Sequence, residues 1–94
     1  MTYICGKITG DSKYKEKFAQ AEEKLKRRGH ECINPAKLNC ISDKLSYNTC
    51  LEICIALLRE CDTVYVLPGW RDSKSAKIEL SIAKMHEKKI IYAE

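Results

Sequence analysis

The sequence predicts a three-layer α/β domain built on an all-parallel sheet. Three observations carry this. Strand-like and helix-like segments alternate as β-α-β-α-β-α-β along the 94 residues. The run Asp62–Leu67 is apolar on both faces, as a central parallel strand covered by helices on both sides should be. Turn residues (Gly6, Gly29, Asn34-Pro35, Pro68-Gly69) stand between the segments, where chain reversals need them.

Thr2 to Cys5 reads as a short strand ended by Gly6, and Gly6 to Gly10 as a loop. Asp11 or Ser12 can cap a helix running to about Arg28. Its apolar positions Tyr14, Phe18, Ala21 and Leu25 recur every three or four residues, which lines one stripe. Gly29 is a suitable stop. His30 to Ile33 forms a second strand closed by Asn34-Pro35, and residues 36–44 read as irregular. A second helix spans about Tyr47 to Glu60. Leu51, Cys54, Ile55 and Leu58 line one face, and Ile53 and Leu57 a second, so it is expected to be buried on two sides. In so short a chain the second cover is expected to be another subunit. Asp62 to Leu67 is the third strand, Ser73 to about Glu87 the third helix, and Lys89 to Tyr92 the fourth strand. Right-handed crossovers then give a small Rossmann- or flavodoxin-like layer structure with strand order 2-1-3-4. A single domain over residues 1–94 is expected, without repeats, linkers or low-complexity segments.

Composition narrows the function classes. Hydrophobic content of 45% with 32% charged residues is that of a soluble globular chain. No apolar run approaches the ~20 residues that span a bilayer, and the N-terminus lacks a signal-peptide plan, so no membrane partner and a cytoplasmic location are expected. The net charge is +4. Its clusters, Lys24, Lys26, Arg27 and Arg28, then Lys84, Lys88 and Lys89, fall late in helices, where cations suit the dipole. No basic stripe interleaves with aromatics, so a nucleic-acid polymer is not an expected partner. The six cysteines, Cys5, Cys32, Cys40, Cys50, Cys54 and Cys61, mostly sit inside strands and helices, where thiols act as small hydrophobes. Cys50 and Cys54 share a helix face, but no histidine or second close cysteine pair completes a metal set. Neither metal nor cofactor is expected.

Glu79 is the leading functional candidate. Ala76, Leu80 and Ala83 share its helix face, which should meet the sheet. A carboxylate there either points into a ligand cleft or forms a structural salt bridge, because burying an unpaired charge is costly. The loop Gly6–Gly10 lies between a strand and a helix, where phosphate can bind, although it is not a GxGxxG pattern. Ser73 and Ser75 cap the third helix or hold an anion. Trp70 follows the Pro68-Gly69 turn and either stacks on a base or covers the core. His30 and His86 carry no catalytic signal.

The segments YICGKITG (3–10), INPA (33–36) and CDTVYVLPGWRDSKSAKIELSIA (61–83) resemble the nucleoside 2-deoxyribosyltransferase superfamily, within it a small branch found in bacteria and phages. The last segment is the most specific, combining strand, Pro-Gly-Trp turn and spaced glutamate. The resemblance implies that Glu79 attacks the anomeric carbon of a nucleoside, displaces the base and forms a glycosyl ester that water or a second base resolves. A carboxylate suits the cationic, oxocarbenium-like transition state. In the related 2′-deoxynucleoside 5′-monophosphate N-glycosidases a serine matching Ser73 binds the 5′-phosphate, so Ser73 leans toward a nucleotide. Lys74 and Lys77 would favour the anion. Gly6, Ile8, Gly10, Gly69, Trp70, Ser73 and Ser75 are the implied substrate-binding residues.

Three positions depart from the superfamily's pattern. Cys54 stands where an aspartate is frequent, Ser75 where a glycine is expected, and Lys7 where a small residue or proline is usual. Asp72 is the nearest remaining candidate for the acid. The resemblance also implies a homodimer or higher oligomer in which a neighbouring subunit completes the site. Hydrolysis or deoxyribosyl transfer on a nucleoside or its 5′-monophosphate is the expected activity. A non-catalytic nucleotide-binding module is the alternative, and a structural or partner-binding protein with a relic cleft a third.

Overall fold

The alternation of apolar runs resolves into four strands and three helices in the computed structural model, which describes residues 1–40 and 45–93. They are β1 (Thr2–Cys5), α1 (Tyr14–Arg27), β2 (Cys32–Ile33), α2 (Tyr47–Arg59), β3 (Thr63–Val66), α3 (Lys74–Met85) and β4 (Lys89–Tyr92). The sheet is fully parallel with order β2-β1-β3-β4. The register pairs Tyr3 with Ile33 and Val64, and Val64 with Ile90, so these side chains fall on one face.

Strand alternation divides the core in two. Tyr3 and Cys5 of β1 and Val64 and Val66 of β3 pack with Cys54, Leu58, Ala76, Leu80 and Ala83 of α2 and α3. Ile4, Tyr65 and Leu67 point the other way, against Phe18, Ala21 and Leu25 of α1. All four residues of β1 are buried, the signature of the strand at the centre of the sheet.

Helix ends explain where the elements differ from their sequence-predicted bounds. Asp11 does act at the start of α1, but one turn earlier than a cap. Its Oδ1 accepts from the Lys13 amide at 2.9 Å and its Oδ2 pairs with Lys17 at 2.8 Å, so the helix itself begins at Tyr14. β2 starts at Cys32 rather than His30, because the His30 amide donates to the Leu25 carbonyl at 3.0 Å. With Gly29 at φ 84° this closes α1 in a left-handed cap. Residues Pro35–Cys40 form a 3-10 segment where irregular chain was expected; the rest of that stretch, 41–44, lies outside the described residues. A second 3-10 turn, Trp70–Asp72, links β3 to α3. In α2 the expected second stripe divides: Leu57 packs on the core, whereas Ile53 is 40% exposed.

One buried carboxylate secures the corner after β2. Glu22 of α1 accepts from Asn34 Nδ2 at 3.1 Å and pairs with Lys26 and Lys37 at 3.0 Å each. Burial alone would raise its pKa, but the Asn34 hydrogen bond and the two ammonium groups outweigh it and pull the carboxyl down to about 2. Asn34 Oδ1 in turn accepts from the Ala36 amide at 3.0 Å. The Ile33-Asn34-Pro35-Ala36 segment is therefore a structural corner.

The end of α3 repeats the cap of α1 without glycine. Lys88 donates to the Ala83 carbonyl at 2.9 Å and Glu87 to Lys84 at 3.1 Å, with Glu87 at φ 55°. A side chain there is strained, and a negative charge at a helix C-terminus is unfavourable. Glu87→Gly should raise unfolding stability by about 1 kcal/mol, read from the urea midpoint at constant slope.

Candidate functional site

Glu79 is 7% exposed and sits on the face of α3 that meets β1. The helix is started by Ser73, whose side chain accepts from the Ala76 amide at 3.1 Å. That cap sets the helix phase. Ala76, Leu80 and Ala83 enter the core on the same face, and Glu79 is carried in among them.

The carboxylate lies at the base of a cleft lined by Ile8, Thr9, Tyr47, Cys50, Leu51, Cys54 and Ser75. The enclosed volume is about 60 Å³, room for about two waters. It is the floor of an opening whose rim, Thr9 and Tyr47, is exposed. α3 supplies one wall through Ser75 and Glu79, α2 the opposite wall, and the loop leaving β1 the front.

Among the described residues, no cation pairs with this carboxylate. Burial pushes Glu79 up to about 7, and the protons of Tyr3 and then Cys5 partly offset that rise. The Cys5 thiol donates to the Ala76 carbonyl at 3.6 Å, and burial next to Glu79 holds it well above its usual range. Cys54 is pushed up to about 11 by burial and by Glu79. Tyr3 is fully buried and raised too, by burial first and then by Glu79. Its hydroxyl influences the Glu79 carboxyl electrostatically but makes no hydrogen bond of good geometry. Among the described residues it is the buried side-chain polar atom without a partner. A buried phenol usually finds one. Its lack of one beside a cleft marks the spot as polar and unfinished.

The other sequence-predicted residues separate into two groups. Ile8, Ser75 and Glu79 come together in the cleft, with Cys54 on its α2 wall. Ser73 stands behind Ser75, the two hydroxyl oxygens 3.3 Å apart, with Ser73 committed to its cap. Gly6 is explained by packing: a Cβ there would meet Leu67 at 3.1 Å and Phe18 at 3.2 Å. Gly10 turns the following loop at φ 85°. Gly69, Trp70 and Asp72 line a different cavity, at the ends of β3 and β4. Asp72 is exposed on the 3-10 turn there. Tyr3, Cys5, Thr9, Tyr47, Cys50 and Leu51 were not singled out from sequence as site residues. Strand alternation signals two of them, since Tyr3 and Cys5 must share one face of β1.

Among the described residues, no three His, Cys, Asp or Glu side chains form a group suited to a metal ion. Nor is any helix among them long and apolar enough to cross a membrane.

Two substitutions test the electrostatics. The folded pKa of Glu79 is raised from 4.5 to about 7. Stability from the neutral form is thus fully present below pH 4.5 and lost as pH rises through 7. The shift corresponds to a pH-dependent term on the order of 3 kcal/mol. Glu79→Gln should flatten that slope and exceed the wild type in stability at pH 8, as measured by denaturant titration across pH. Tyr3→Phe removes an unpartnered hydroxyl, so it should change stability by less than about 1 kcal/mol. It also removes an influence that lowers the Glu79 pKa. The falling limb of the stability profile should therefore move to higher pH.

A family model described as Domain of unknown function (DUF4406) matches residues 1–92, and the chain belongs to that family. No curated protein and no solved structure matches the chain.

Proposed function

We propose that this DUF4406 chain is an N-glycosidic-bond enzyme of the nucleoside 2-deoxyribosyltransferase type, with Glu79 as nucleophile. The observation that carries the reading is the buried Glu79 carboxylate, raised toward neutrality and without a cation among the described residues, at the floor of a cleft beside the loop that leaves β1. Structural carboxylates are paired, as Glu22 is; one without an ion pair among the described residues and raised toward neutrality fits a functional site. The motif resemblance agrees on the same residue.

In this mechanism one Glu79 oxygen forms a bond to the anomeric carbon while the carbon–nitrogen bond breaks and its electron pair leaves with the base. Water, or a second base, then attacks the same carbon and releases the carboxylate. Glu79 must be ionised to attack, so Tyr3 and Cys5, which favour the charged form, act as positioning residues. Ser75 on the cleft wall and the first turn of α3 support a substrate that bears a 5′-phosphate, with exposed Lys74 and Lys77 adding positive charge to that helix. Cys54, held protonated by its surroundings, stands where the resemblance expects an aspartate.

One observation favours a second reading. With Cys54 in that place and Asp72 facing another cavity, the described residues of the cleft wall offer no second carboxyl to protonate a leaving base. A cleft that binds a nucleotide without cleaving it would look the same.

The deciding assay incubates the purified protein with deoxynucleosides and their 5′-monophosphates and measures free base by chromatography. The expected result is release by the wild type, a drop of at least ~10³-fold in Glu79→Ala, and a rate that rises with pH through about 7 as Glu79 ionises. Saturable nucleotide binding with no base released would instead establish the binding-module reading.

A further inference from the structure

The cavity beside Trp70 is the larger opening of the two, about 550 Å³, within the range of small-molecule sites. It sits over the carboxyl ends of β3 and β4, the edge of a parallel sheet where ligands bind. It is lined by the Leu67–Asp72 turn on one side and by Tyr92 and Ala93 on the other. None of its lining residues lines the Glu79 cleft.

Three side chains give this cavity a chemical character. Trp70 and Tyr92 form a tilted aromatic pair with centroids 6.1 Å apart and planes at 41°. That spacing is direct ring-to-ring contact, so no third ring fits between them. Tyr92 remains 49% exposed, which leaves aromatic surface open toward the cavity. The Arg71 guanidinium lies 5.1 Å from the Trp70 ring centre. Stacking of this kind limits the orientations of the fork at the rim. Among the described residues, none of the salt bridges uses Arg71. Asp72, also on the rim, is an acceptor for N–H donors.

We propose that this cavity is a second ligand site, separate from the Glu79 cleft, for an amino-bearing heteroaromatic or aromatic ring that carries an anionic group. The ring lies on the Tyr92 side of the aromatic pair, Arg71 takes the phosphate or carboxylate in a bidentate grip, and Asp72 receives the ring's amino group. The shared chemistry has two natural sources, a nucleoside 5′-monophosphate and a free aromatic carboxylate.

Trp70 is the chain's one tryptophan, so its fluorescence reports on this cavity directly. The test titrates the intact chain with AMP, 4-aminobenzoate, adenosine and inorganic phosphate, with excitation at the red edge of indole absorption. Saturable quenching by AMP or by 4-aminobenzoate is the expected result, and the tighter of the two identifies the source. Arg71→Gln and Tyr92→Ala should each weaken that binding by about tenfold. Arg71 is exposed on a surface turn, so its variant keeps the test valid should Tyr92→Ala fail to fold. Glu79→Gln should bind unchanged, which separates this site from the reaction proposed above. No response to either aromatic anion, an equal response to adenosine or phosphate alone, or loss of binding in Glu79→Gln with retention in Arg71→Gln would each overturn the proposal.

Discussion

Desolvation of the Glu79 carboxylate is the constraint around which one face of this sheet is arranged. The side chain is carried into the core by the phase of α3, which the Ser73 cap fixes. Once there it meets β1, the strand buried at all four positions and paired on both sides. Tyr3 and Cys5 are the groups that β1 presents to it, and Cys54 is the group that α2 presents. All are weak acids that burial keeps protonated, so among the described residues the carboxylate has weak acids as neighbours and no cation.

A second buried carboxylate in the same chain shows what the alternative looks like. Glu22 is covered from solvent as Glu79 is, but it lies nearer the surface and is held far below its usual range by Asn34, Lys26 and Lys37. Its job is to bind α1 to the corner that follows β2. The two residues have the same chemistry and opposite environments. The one with partners is a clamp, and the one without opens on a cleft. Depth of burial and the presence of partners together separate the functional candidate from the structural one.

The topology also explains why the Glu79 cleft and the Trp70 cavity are separate. The turn after β3 rises between β1 and β4 before α3 begins. On the β1 side it leaves the narrow Glu79 cleft, closed further by α2. On the β4 side it leaves the wider cavity of Trp70 and Tyr92, where β4 is the edge of the sheet and no strand lies beyond it. A single short segment, Leu67 to Ser73, thereby divides the carboxyl edge of the sheet into an acidic pocket and an aromatic one.

By itself the sequence determined the order of elements, the parallel sheet, and the placing of Glu79 on a core-facing helix stripe. Those are consequences of local periodicity and turn chemistry, which are written in neighbouring residues. Helix ends were legible to within a turn, and they failed where a cap recruits residues beyond the helix, as His30 does for α1. Only the tertiary structure decided which described groups surround Glu79, whether Glu22 matters, and whether Trp70 shares a pocket with Glu79. The partners of Glu22 come from α1 itself and from residues beyond β2, and the neighbours of Glu79 come from β1 and α2. Alternation along β1 puts Tyr3 and Cys5 on one face, but the packing of α3 on that face is what makes them neighbours of a carboxylate. A charge is tuned by what surrounds it in space, and no periodicity along the chain records that.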